Sequence, residues 1–184
     1  YKLKSNDFYS KKFSQQRFFD SPKVSFVKQM LQFELPTELR SAILDELFLT
    51  FVTSDETSFA KELYLDIDQI KYMANNNMYI GGHGYRHYWL NKLNENEQMH
   101  EIDKTIKFLK KINSPLKNWV MCYPYGGYDQ SLIQILNKKG CSMALTSINN
   151  SPNGKNYRAI LSPDHAYELT RFDTNEFPPK TKGD

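Results

Sequence analysis

The chain has 184 residues, 40% of them hydrophobic and 14% aromatic, which is enough for one buried core. Lysine plus arginine number 24 against 21 for aspartate plus glutamate, and a scattered net charge of +3 excludes a dedicated nucleic-acid surface. No apolar run approaches the roughly 18 residues of a membrane span. The start, Tyr1-Lys2-Leu3-Lys4, is neither a signal peptide nor an initiator methionine. The chain as given favours the cytoplasm, and it is expected to begin inside a longer protein.

Residues 1–34 are rich in Lys, Ser, Gln and Phe without a clean period, and Phe18-Phe19-Asp20-Ser21-Pro22 offers a turn. From Pro36, suited to a first helical turn, Leu39, Ile43, Leu44, Leu47 and Phe48 recur at helical spacing. A short helix is predicted over Ser58 to Leu63. Asp66 or Asp68 starts the next, with Ile67, Ile70 and Met73 on one side and Asn75-Asn76-Asn77 as its end. Met78-Tyr79-Ile80 reads as a short buried strand.

Asn94 with Glu97 three residues on is a capping pair, and Met99, Ile102, Ile106, Leu109 and Ile112 step by three and four behind it. Lys107, Lys110 and Lys111 form the solvated face of that helix. Trp119 to Tyr123 is a second strand, stopped by Pro124 and Gly126-Gly127. Leu132 to Leu136 makes another helix, with Gly140 as its left-handed cap, and Cys141 to Thr146 a third strand. After a polar loop, weak strand runs lie at Arg158 to Leu161 and Tyr167 to Phe172. Cys122 and Cys141 sit in apolar surroundings outside any CxxC pair and are expected to be free thiols.

The order over 65–146 is helix, strand, helix, strand, helix, strand. Such alternation implies parallel strands with crossover helices, an α/β sheet or barrel, with sites where strand C-terminal ends meet the following loops. Two segments fall at such ends. In Gly81-Gly82-His83-Gly84-Tyr85-Arg86-His87, two imidazoles at i, i+4 turn toward one point if the chain enters a helical turn, and the glycines leave room for a ligand. In Tyr123-Pro124-Tyr125-Gly126-Gly127, a fixed proline dihedral followed by free glycines lets backbone N–H groups face a cleft, as an oxyanion requires; a tight turn with aromatic packing explains the same residues.

Taken together, His-Gly-Tyr-Arg-His after a Gly-Gly turn and the later Tyr-Pro-Tyr-Gly turn resemble the polysaccharide deacetylase family, the NodB-homology domain of carbohydrate esterase family 4. The resemblance covers roughly residues 65–175. It implies a partial or distorted (β/α) barrel, here missing its first strand or strands, with 65–184 as its C-terminal part and 1–64 as a mainly helical or irregular segment packed on it. It also implies metal-dependent deacetylation of an N- or O-acetylated carbohydrate, by metal-activated water attacking the acetyl carbonyl.

By that resemblance His83 and His87 bind a divalent metal, zinc foremost with cobalt or nickel as substitutes. Tyr125 supplies the backbone oxyanion donor, and Tyr123, Pro124 and Gly126 line the substrate. The family's paired aspartates, the arginine before its Pro-Tyr-Gly turn and its late Leu-x-Leu-x-His segment are not found in this chain. The aspartates are expected upstream of Tyr1, or lost. Leu169-Thr170-Arg171-Phe172-Asp173, after His165, resembles the strand ending of some divergent members. Arg171 there orients a carboxylate, or else forms a surface salt bridge with Asp173 or Glu176.

A non-catalytic remnant that binds a saccharide or a protein partner is the alternative reading, with Tyr85, Tyr88, Trp89, Tyr123 and Tyr125 available to stack on sugar rings. Sheet edges left by missing strands would favour a homo-oligomer.

Overall fold

The structure is a computed structural model that describes residues 2–16, 20–147 and 165–171. It divides into two compact units, Tyr1–Tyr64 and Leu65–Asp184.

The first unit is helical. Residues without a clean period nonetheless carry good caps: the Ser5 hydroxyl opens α1 (Asn6–Phe13), and the Ser21 hydroxyl opens α2 (Pro22–Gln29) with Pro22 in the first turn. A single π turn, Met30–Glu34, continues α2. Tyr9 and Phe13 supply buried rings. Next come α3 (Thr37–Phe51), which starts one residue after Pro36, and α4 (Glu56–Leu63), capped by Asp55.

The second unit opens with α5 (Ile67–Asn75), where Asp66 and Gln69 exchange side-chain and backbone hydrogen bonds in a capping box. Asn94 and Glu97 do the same for α6 (Glu95–Lys111). The stripe read in α6 is the core face: Ile102 and Leu109 are buried, as is Ile112 just past its end. Three strands follow, β1 (Trp119–Cys122), β2 (Cys141–Thr146) and β3 (Leu169–Thr170), with α7 (Gln130–Lys138) between β1 and β2. They pair in parallel in the order β1-β2-β3. Gly140 holds φ 74° just past α7, the left-handed position expected of it.

Trp119, Met121, Leu132, Ile135, Leu136 and Ala144 fill the space between sheet and helices together with the α6 stripe. Each large side chain of this kind contributes about 1.5–3 kcal/mol when fully buried. Cys122 and Cys141 are both free; burial pushes the Cys141 thiol up to about 11. No helix among the described residues is long and apolar enough to cross a membrane.

One expectation is met in part and one changes. The sheet is parallel, and among the described residues its three strands are compatible with part of a (β/α) fold. Met78-Tyr79-Ile80 is not a strand. Side chains occupy the backbone groups that a ladder would use: the Tyr79 hydroxyl accepts from Val120 N–H at 2.8 Å, and the Ser114 hydroxyl donates to the Ile80 carbonyl at 2.6 Å. Met78 and Tyr79 stay more than half exposed. The run around Arg158 to Leu161 lies outside the described residues.

Pairing begins two residues later, at a bridge between Gly82 and Met121. Gly82 N–H donates to Val120 O and Cys122 N–H donates to Gly82 O, both at 2.8 Å. Only glycine permits this approach, because a Cβ at Gly82 would stand 2.8 Å from the Trp119 ring and 3.0 Å from a Thr105 methyl. Gly82→Ala is therefore expected to cost about 1–3 kcal/mol, the range for overpacking a closed core. Denaturant unfolding checks this, and an unchanged midpoint would refute the close approach.

Candidate functional site

The bridge at Gly82 delivers His83 to the C-terminal end of β1. The His83 Nδ1 lies 2.8 Å from the Cys122 carbonyl, and since that oxygen only accepts, Nδ1 carries the proton. The Nε2 lone pair is thereby turned outward. This is the arrangement in which a ligating imidazole is oriented through its second nitrogen.

No helical turn links the two histidines. Gly84 at φ 78° and His87 at φ 58° reverse the chain instead, and the rings meet edge to face with Nε2 of His87 3.0 Å from Nε2 of His83. His87 also meets the Tyr125 ring at 4.7 Å, and Tyr125 stacks on Trp89 at 4.9 Å with 8° between planes. Tyr125 adopts φ 56°, so two non-glycine residues in the left-handed region face each other. Such a conformation costs on the order of 1–3 kcal/mol each and concentrates at functional sites.

The Tyr123-to-Gly127 turn is anchored from below. Tyr123 N–H donates to Leu145 O at 3.0 Å, and the Thr146 hydroxyl donates to Gly126 O at 2.8 Å. The turn's own hydrogen bonds run from Gly126 N–H to Tyr123 O and from Gly127 N–H to Pro124 O. They do not draw on the N–H of Tyr125. Tyr123, Pro124 and Gly126 are buried; the Tyr123 hydroxyl donates to Tyr167 O at 2.9 Å, and burial drives its pKa far up. What these three bring to the cleft is backbone; Tyr85, between the histidines, is 54% exposed.

Arg171 follows β3 at the same end of the sheet, its N–H donating to Thr146 O at 2.9 Å, and it is exposed. Asp173 and Glu176, its candidate ion partners, lie outside the described residues. His165 pairs with Glu168 at 3.0 Å. In the first unit Asp20 is held by Lys28 at 2.8 Å.

Two site neighbours were not singled out in the sequence. Glu101 on α6, 2% exposed, accepts the N–H groups of Tyr85 and Arg86 at 2.9 and 2.8 Å. Gln98, one turn earlier and fully buried, donates to Leu90 O and to the Asp129 carboxylate that caps α7. Their signal is spacing: 98, 101 and 105 run beside 102 and 109, so these polar residues share the buried face.

Two nitrogens held by one tetrahedral zinc at ~2.0–2.1 Å stand about 3.3 Å apart, close to the separation of the two Nε2 atoms. The imidazoles thus fit two positions around a cation. Among the described residues no His, Cys, Asp or Glu joins them to make a group of three.

A family model described as polysaccharide deacetylase matches residues 47–144, more than half of the chain. The chain belongs to the polysaccharide deacetylase family. Among solved structures it is similar to the Streptococcus pyogenes deacetylase PplD in complex with acetate, with 22% identity and a TM-score of 0.46 over 59% of this chain and 44% of that one. The chain thus spans less than half the length of that deacetylase. No curated protein matches the chain.

Although His87 is exposed as a residue, its ring is partly enclosed by its neighbours. That desolvation, and after it the adjacent His83, hold its pKa below the ordinary 6.5. The folded state therefore binds this proton less readily than the unfolded state. The stability His87 contributes is complete above pH 6.5 and is lost as pH falls through the depressed value. Imidazole NMR titration of the metal-free protein should show His87 titrating below 6.5, and an ordinary midpoint would contradict the enclosed ring.

Proposed function

We propose that the chain is part of a metal-dependent deacetylase of an N- or O-acetylated carbohydrate, with His83 and His87 as two of the metal's ligands. The observation that carries this is the convergence of the two Nε2 atoms at 3.0 Å beside the Tyr125 turn, within a deacetylase-family sequence. A divalent cation, zinc foremost, supplies Lewis acidity toward an acyl oxygen and acidifies water.

The chain's own residues have distinct parts. His83, its Nδ1–H on the Cys122 carbonyl, offers Nε2 without reorienting. His87 must shift its proton to Nδ1 to offer the same atom. Tyr125 contributes a backbone N–H toward charge developing on an acyl oxygen, where a preorganised donor is worth about 2.7–4 kcal/mol. The Trp89–Tyr125 stack backs the Tyr125 ring that meets His87 edge to face.

A second reading is favoured by the ligand count among the described residues: with two imidazoles and no third group there, the chain acts as a non-catalytic remnant that binds a saccharide or a protein partner. The two readings separate experimentally. Zn2+, Co2+ or Ni2+ is expected to bind at one site, and His83→Ala or His87→Ala to abolish uptake, as followed by equilibrium dialysis. Uptake unchanged in both variants would reject the metal centre. Acetate released from an acetylated oligosaccharide on adding metal would reject the remnant.

A further inference from the structure

The segment between the two histidines has little packing to hold it. Tyr85 is 54% exposed, Arg86 is exposed, and a cavity of about 240 Å³ opens against α6, lined in part by Arg86, Tyr88, Leu93 and His100. The left-handed conformations at Gly84 and His87 bound the segment on both sides, so local propensity does not choose this path. Yet the path fixes where the His87 ring arrives.

One buried side chain opposes this looseness. Oε2 of Glu101 accepts from two successive amides, Tyr85 N–H at 2.9 Å and Arg86 N–H at 2.8 Å. Hydrogen bonds to an ionised carboxylate are roughly twice as strong as neutral ones. Glu101 is also anchored in the middle of α6, the helix whose stripe forms the core, so the restraint is referred to the most rigid element nearby. Both held amides lie between the histidines. Releasing them frees the dihedrals that set the Nε2 to Nε2 separation.

We propose that Glu101 is a positioning residue, whose buried carboxylate clamps the Tyr85 and Arg86 amides and thereby sets the spacing of the His83 and His87 nitrogens for a divalent cation. This rests on the reading of the histidine pair as a metal site. Glu101 touches neither cation nor substrate; it acts through the loop.

The test titrates Zn2+ into the full chain against a chromophoric chelator, and follows amide hydrogen exchange at Tyr85 and Arg86 in the metal-free protein. E101A and E101D, which withdraw the acceptor from the loop, are expected to weaken Zn2+ binding about 10–100-fold, as loss of an outer-shell partner does, and to speed exchange at both amides. E101Q keeps an acceptor of the same reach and should restore most of the affinity. H83A binding Zn2+ as well as wild type would overturn the metal reading and this inference with it. If H83A loses Zn2+ while E101A and E101D do not, the metal reading stands and the positioning role is overturned. Should E101A fail to fold, E101D against E101Q decides. Lower thermal stability of E101D with unchanged Zn2+ affinity and amide exchange, or an E101Q as weak as E101D, would also overturn it.

Discussion

Two backbone hydrogen bonds between Gly82 and β1, both 2.8 Å, are the constraint on which the site depends. They fix the distance at which the histidine segment enters and the direction in which it leaves. A side chain at position 82 would collide with the Trp119 ring, so the pairing and the core beneath it are one packing solution. From that point His83 needs only its own Nδ1–H, directed at the carbonyl of Cys122 two bonds farther along the same ladder, to present its second nitrogen outward.

The other half of the site follows from what β1 does next. After Cys122 the strand stops at Tyr123 and Pro124, and the chain passes through left-handed Tyr125 and Gly126 before α7. Leu145 and Thr146, at the end of β2, hold the turn from the opposite side. The candidate groups thus gather at the C-terminal ends of parallel strands, where the polar ends of the ladder are not consumed by further pairing. Strain at His87 and Tyr125 is sustained by ring contacts that each makes with the other.

Much of this was legible. The stripe of α6, its Asn94–Glu97 box, the Gly140 cap, and the strands at Trp119 and Cys141 rest on local rules of period, capping and turn chemistry, and those rules operate over a few residues. So did the two motifs, because glycines and histidines at fixed offsets are unusual enough to stand out. What was not legible depends on contacts between distant segments. Met78 to Ile80 has strand composition, but Tyr79 and Ser114 side chains occupy the ladder's donors and acceptors. Tyr123 looked like a stacking surface and is a core ring bound to the Tyr167 carbonyl. Glu101 shares the spacing of the buried face, but its partners, the Tyr85 and Arg86 amides, are set by the fold of the loop and not by the helix.

Both half-sites are tied to β1, one through the Gly82 bridge and one as the chain's continuation past Cys122, and this has a consequence for error. Any displacement of the strand, thermal or mutational, is common-mode: the imidazoles and the Tyr125 turn move with it by the same amount, and their separation is preserved. Differential error enters through the short backbone links from Gly82 to His87 and from Tyr123 to Tyr125, and through the α6 carboxylate that holds the first of them. A scaffold with this layout can absorb shifts in its core while the relation between its two candidate edges stays narrow.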